Sequence, residues 1–352
     1  MFVYGPSRAA APRLAPIADV SVDATPPPRT LEASPPVARP SDPAGARAHA
    51  RHAPLASQLR AMAERAGPTP PTVESAPGFA RLSAAEQAQL RARTHGDHPI
   101  AVATREKLDA LMRSDRFRAA TPDQQAALLR EVLRSPPLKQ VNQLDPGPAA
   151  ATPPIEGPTS VKSARFKAVE GGYEHKPALR YDVTIDGRTV PVYIAQPVDP
   201  SGNQPSIEEL ARGLASLPPE SRARVREVRM DNVPHPTAFM YAGDDGIVNV
   251  WPPKWKQTQG QLDALMLHET GHILSSQEWG SSRHPKPDWR QWEEAGRKDG
   301  SAVSEYAQQD AREDFAETYA LYMMVRNTPM YEQVRAMYPH RFAMIEALLE
   351  QQ

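Results

Sequence analysis

Two histidines one helical turn apart inside an apolar run constrain this chain more than any other feature. Over residues 262–274 it reads Leu-Asp-Ala-Leu-Met-Leu-His-Glu-Thr-Gly-His-Ile-Leu, with Leu262, Leu265, Met266, Ile273 and Leu274 on helical spacing. That pattern predicts a helix with a buried face. Positions i and i+4 lie one above the other on a helix, so the imidazoles of His268 and His272 can grip one ion from the same side. Glu269, directly after the first histidine, can reach a water beside that ion and serve as general base. The plain alternative is a pair of histidines on an ordinary helix, although a chance match would more often fall in a polar loop.

The pattern H-E-x-x-H is that of a zinc-hydrolase site. Two histidines leave a tetrahedral zinc ion short of one protein ligand, with the last position open for water. Candidates for the third ligand lie downstream, where Phe315, Ala316, Tyr319, Ala320 and Met323 alternate with carboxylates at helical intervals. Glu313 and Glu317 therefore share one face of a second helix. Such spacing suits a ligand and, one turn on, a carboxylate that holds a ligating imidazole by its other N–H. It suits equally a solvated acidic face near a helix N-terminus, where the dipole favours carboxylates.

In combination these residues resemble the C-terminal catalytic domain of the anthrax lethal factor-like zinc metallopeptidases. The likeness rests on His268-Glu269-Thr270-Gly271-His272, on Tyr306, and on Glu313 within Glu-Asp-Phe-Ala-Glu, and it covers roughly residues 225–349. It implies a zincin fold, His268, His272 and Glu313 as zinc ligands, Glu269 as base, and Tyr306 as hydrogen-bond donor to the oxyanion. Glu317 then falls to the supporting role behind an imidazole. Asp314 stands where that family carries an aromatic. No counterpart of the toxin's carrier-binding region is recognisable. On its own, Tyr306 reads equally as a buried aromatic bonded to backbone.

Ahead of the metal helix, residues 237–241 and 247–251 are strand-like runs around a turn at Gly243-Asp244-Asp245-Gly246. In zincin-type peptidases such a strand is the sheet edge on which an extended peptide pairs, which implies Val248 and Val250 as substrate-binding residues. Strand addition supplies the physical basis. A core hairpin fits the same residues. All five tryptophans, Trp251, Trp255, Trp279, Trp289 and Trp292, fall in this part of the chain, most of them as core and some as cleft lining. His235 and His284 read as surface histidines. Arg222, Arg224, Arg226 and Arg229 form a basic cluster that suits either an acidic substrate or a solvated strand face.

The chain has 352 residues, 39 of them proline, and a mean hydropathy of -0.57, so a good part of it cannot pack a core. Residues 1–78 are rich in Pro, Ala, Arg and Ser and read as a disordered or polyproline-like leader with room for a short helix over 47–66. Such a leader suits SH3- or WW-type partners, a secretion chaperone, or no partner at all. Residues 79–145 read as a small helical module, because 79–90 realigns with 117–128 and each copy carries a capping box, Ser83 with Glu86 and Thr121 with Gln124. Two copies make a packing unit, not a solenoid. It suits substrate recognition or partner docking. Residues 146–160 read as a linker and 161–352 as the catalytic domain.

In that last segment residues 165–169, 179–185, 189–195 and 225–233 read as strands, 206–217 as an amphipathic helix, and Asp186-Gly187 as a type I′ hairpin turn. The expected fold class is α+β: a zincin-like domain with a small mixed sheet and the H-E-x-x-H helix across one face. A net charge of -1, from 41 basic and 42 acidic side chains, supplies no field for nucleic acid or a membrane surface. The chain contains no cysteine, which removes any disulfide or cysteine-zinc framework. Neither a membrane-length apolar stretch nor a signal peptide is legible.

The expectation is a Zn2+-dependent endopeptidase cleaving proteins of a host or target cell. Its delivery is expected to use a specialised secretion system without a signal peptide, as for a bacterial effector or toxin. The alternative from another class is a non-catalytic effector that docks partners through its module and leader around a structural zinc.

Overall fold

The computed structural model describes residues 72–351, apart from 97, 145–148, 170 and 281–285. The leader up to residue 71, with its expected 47–66 helix and chaperone or polyproline role, lies outside the described residues, as does His284. Residues 72–78, expected to belong to the leader, instead carry a 3-10 turn at Val73–Ser75, and Val73 and Ala76 pack on the core of the helices that follow.

Those helices are α1 (Ala84–Thr94), α2 (Pro99–Arg113), α3 (Asp115–Arg118) and α4 (Pro122–Arg134). Both capping boxes form. Ser83 accepts from the Glu86 N–H while Glu86 accepts from Ser83, and Thr121 and Gln124 repeat the exchange, satisfying backbone donors that the first turn leaves open. The repeat brings equivalent positions to one cluster: Phe79 with Phe117 and Leu90 with Leu128, closed by Leu108, Leu129 and Leu133.

After the module come β1 (Ile155–Lys167), β2 (Tyr173–Ile185), β3 (Arg188–Ala195), α5 (Ile207–Ser216), α6 (Pro219–Arg224), β4 (Glu227–Met230), β5 (Met240–Ala242), β6 (Ile247–Val250), α7 (Gln259–Trp279), α8 (Asp288–Asp299), α9 (Ala311–Val325), α10 (Tyr331–Met337) and α11 (Pro339–Glu350). Among the described residues the fold is thus mixed α+β, with eleven helices and one six-stranded sheet of order β1-β2-β3-β4-β6-β5. β1, β2 and β3 run antiparallel, β3, β4 and β6 are parallel, and β5 returns antiparallel on β6. The Asp186-Gly187 turn has φ of 51° and 77°, as a type I′ turn requires. No described helix is long and apolar enough to cross a membrane.

β1 starts at Ile155, inside the expected linker. Gly157 and Pro158 hid it, and the structure accommodates them where the β1–β2 register shifts between Glu156 and Thr159, on a strand at the sheet edge. The main core lies between the sheet and the helices: Val192, Val228 and Val250 from the strands meet Leu214, Met266, Ile273 and Phe315 from α5, α7 and α9. The helical module is tied to this body by more than chain connectivity. α1 packs on α10, and buried Arg93 donates to the Leu133 carbonyl and to the Ser301 hydroxyl.

Candidate metal centre

Thr258 caps α7 in another capping-box pattern, with Gln261, and the helix then runs through the core with its apolar residues buried on several sides. His268 and His272 leave it together, and their Nε2 atoms stand 3.1 Å apart. Asp310 caps α9, its Oδ1 accepting the N–H groups of Arg312 at 2.8 Å and Glu313 at 3.0 Å. Glu313 is thereby fixed in the first turn, facing α7.

The two helices come close at Gly271. A Cβ there would lie 2.9 Å from the Ala316 Cα and 3.2 Å from a Tyr319 ring carbon. The missing side chain lets α9 bring its carboxylates to the imidazoles. For Gly271→Ala, a helix-propensity gain of about 1 kcal/mol is expected to lose to overpacking of about 1–3 kcal/mol. The variant should melt lower and bind metal more weakly. Thermal unfolding and metal titration of both proteins check this, and an unchanged metal affinity would refute the spacing role.

The structure divides the two glutamates. Glu313 Oε2 lies 3.2 Å from His268 Nε2 and 3.3 Å from His272 Nε2. Glu317 stands behind the ring, its Oε1 2.9 Å from His268 Nδ1, and neither of these two atoms has another hydrogen-bond partner. A carboxylate on Nδ1 fixes the N–H there and leaves Nε2, on the Glu313 side, as the ring nitrogen that can ligate a metal. The other oxygen of Glu317 accepts from the Val141 N–H at 2.7 Å and the Ser304 hydroxyl at 2.6 Å.

Three acceptor atoms thus converge in one place. Glu313 Oε2 is buried without a hydrogen-bond partner, and His268, His272 and Glu313 together could hold a metal ion. The electrostatics agree with a cation-seeking site. Burial opposes charge on His268, yet Glu313 and Glu317 overcome it and push the metal-free imidazole up to about 10. Burial alone would raise Glu313, but the imidazoles of His268 and His272 hold its carboxyl well below the ordinary range. Glu269, 4% exposed, moves the other way: burial raises it, against the pull of the two histidines, and the Ala242 N–H donates to it. Burial, with Glu313 and Glu269 next in effect, also raises the Tyr306 phenol, so its hydroxyl stays protonated and can donate.

Tyr306 opens a 3-10 turn, Tyr306–Gln308, with its ring centre 5.9 Å from that of His268. Its N–H is held by the Lys139 carbonyl at 3.0 Å, and Glu305 by that of Leu138 at 2.8 Å. One strap at the end of the helical module, residues 138–141, therefore anchors both Tyr306 and Glu317. The sequence reading missed it. Backbone groups of Leu138, Lys139 and Val141 do this work, and backbone contacts over such a separation leave no residue pattern. Ser304, whose hydroxyl joins Glu317 to the Ala307 N–H, was missed because a single serine thirteen residues before its partner carries no motif.

His268, Glu269, His272, Tyr306 and Glu313 line a cavity of about 670 Å³ with Met240, Tyr241, Ala242 and Arg312. Val248 and Val250 do not reach it. Both are fully buried on β6, which lies between β4 and β5 and has no free edge. The cleft-side strand is β5. Trp251 N–H donates to Phe239 O, which makes 239/251 and 241/249 the hydrogen-bonded pairs and turns the Met240 and Ala242 backbone groups away from β6. The basic cluster is also dispersed: Arg222 pairs with Asp186, Arg224 with Glu278 at 3.1 Å, and Arg229 with Glu227. Trp279, Trp289 and Trp292 pack around Phe315, Trp251 is buried, and Trp255 is exposed. His235 rests on Trp251 and accepts from the Ala238 N–H.

A comparison with models of known protein families finds no match, and neither does one with the curated proteins.

Proposed function

We propose that the chain is a zinc-dependent endopeptidase with a zincin-like catalytic domain. The carrying observation is the convergence of His268 Nε2, His272 Nε2 and Glu313 Oε2, mutually 3.1, 3.2 and 3.3 Å apart, beside a buried carboxylate and a strand edge. A tetrahedral ion with bonds of roughly 2.0–2.1 Å spaces its ligands roughly 3.3–3.4 Å apart, and a His2Glu set is one that catalytic zinc uses. Three protein ligands leave a position open, whereas structural zinc closes all four. The resemblance to the anthrax lethal factor-like metallopeptidases points the same way.

Bound zinc would supply Lewis acidity at the open side of the triad. Glu269, its affinity for a proton raised by burial, takes the proton of the attacking water and passes it to the leaving amine. Tyr306 donates to the oxygen on which charge develops. The outward backbone groups of Met240 and the Ala242 carbonyl pair with an extended peptide, in the place first expected of Val248 and Val250. We further propose, on the resemblance, that the substrates are proteins of a host or competitor cell.

Purified chain is expected to carry about one zinc ion, and peptide cleavage should vanish on chelation and return with zinc. Glu313→Ala should carry little or none. Cleavage that survives exhaustive chelation would sink the proposal.

A further inference from the structure

We propose that Arg312 selects the substrate by binding a carboxylate that the peptide carries close to the scissile bond; this rests on the peptidase reading. Among the described residues lining the cavity, Arg312 is the only lysine or arginine. Its guanidinium carbon sits 5.6 Å from the centre of the Trp289 ring, and its Nη2 is buried with no hydrogen-bond partner. A permanent cation with an orphaned buried donor is costly, and folded chains rarely keep one without a use.

The two carboxylates nearest Arg312 in sequence are engaged elsewhere. Asp310 Oδ1 accepts two backbone N–H groups at the start of α9, and Glu313 Oε2 faces the imidazoles. The arginines at 222, 224 and 229, by contrast, already have carboxylate partners. The Trp289 ring, within cation-π range of the guanidinium, limits where it can move, and the guanidinium's fork of donors suits a carboxylate. Because Arg312 lines the same cavity as His268, Glu269, Tyr306 and Glu313, a carboxylate on Arg312 belongs to a substrate residue near the reacting bond. Asp310 and Glu313 nearby favour a single negative charge over a phosphate dianion.

The test uses the full-length, zinc-loaded chain and randomised peptides blocked by acetylation and amidation. Cleaved products should be enriched in Asp or Glu at one fixed position. On the best acidic peptide, Arg312→Ala should lower kcat/KM on the order of thirtyfold, as for loss of one partner of a desolvated charge pair, and Arg312→Glu should shift the preference to Lys or Arg. Calorimetric binding of that peptide to the Glu269→Gln chain should weaken by a similar factor when Arg312 is also replaced. A parallel library with free C-termini separates the sources: cleavage confined to unblocked peptides assigns the carboxylate to the chain end. Cleavage without acidic preference, or a preference that survives in Arg312→Ala, overturns the inference and leaves the peptidase reading standing. No cleavage of any peptide in either library overturns both.

Discussion

Glu269→Gln is expected to lower peptide cleavage by about 10²–10⁴-fold, the range for loss of a general base, with zinc content unchanged. The two readouts separate because the side chain is not among the three converging ligand atoms. Glutamine keeps the size and an acceptor for the Ala242 N–H that now reaches Glu269, so β5 should stay where it is. What it loses is basicity. Burial raises this carboxyl above its ordinary range, the direction that matches a base to neutral pH. Metal analysis and kcat/KM on one peptide, measured on the same preparations, decide the matter. Equal activity in the two proteins removes Glu269 as base, and loss of zinc in the variant would make it a ligand or a structural support instead.

The metal helix was legible because two periodicities coincide in it, apolar residues at helical spacing and histidines at i and i+4. Capping boxes at Ser83 and Thr121, and the Asp186-Gly187 turn, were legible because each is a local contest that a few side chains decide. Strand identity at the cleft was not. Residues 237–251 alternate well enough to predict a hairpin, but pattern alone does not say which strand has a free edge. That depends on β4 pairing with β6 from the other side, a contact between segments with no shared signature. The 138–141 strap escaped for the same reason, and so did the partner of Asp314.

Asp314 yields the largest stability effect expected of a single substitution. Where the resembling family has an aromatic, this chain buries a carboxylate that accepts from Trp292 Nε1 at 2.9 Å and Arg341 Nε at 2.8 Å. Arg341 also donates to the Ser301 carbonyl at 2.9 Å and lies 3.4 Å from Asp299. Burial is the dominant influence and raises the Asp314 carboxyl above its usual range even against Arg341, so the pair gains little over an apolar contact. Breaking it is another matter. Asp314→Ala leaves a buried guanidinium short of a partner and an indole N–H unsatisfied, a change expected to cost about 3–5 kcal/mol and to lower Tm on the order of 10 °C. Removing both charges, as in Asp314→Ala with Arg341→Met, should recover only part of that loss, because buried Asp299 then loses the guanidinium 3.4 Å away and the Trp292 N–H stays unpaired. Zinc affinity should fall in Asp314→Ala as well, since the neighbouring residue of α9 is Glu313. Thermal unfolding of the two single variants and the double variant forms the cycle; additive losses in the double variant would show that Asp314 and Arg341 act separately, and that α9 is held against α8 and α11 by packing alone.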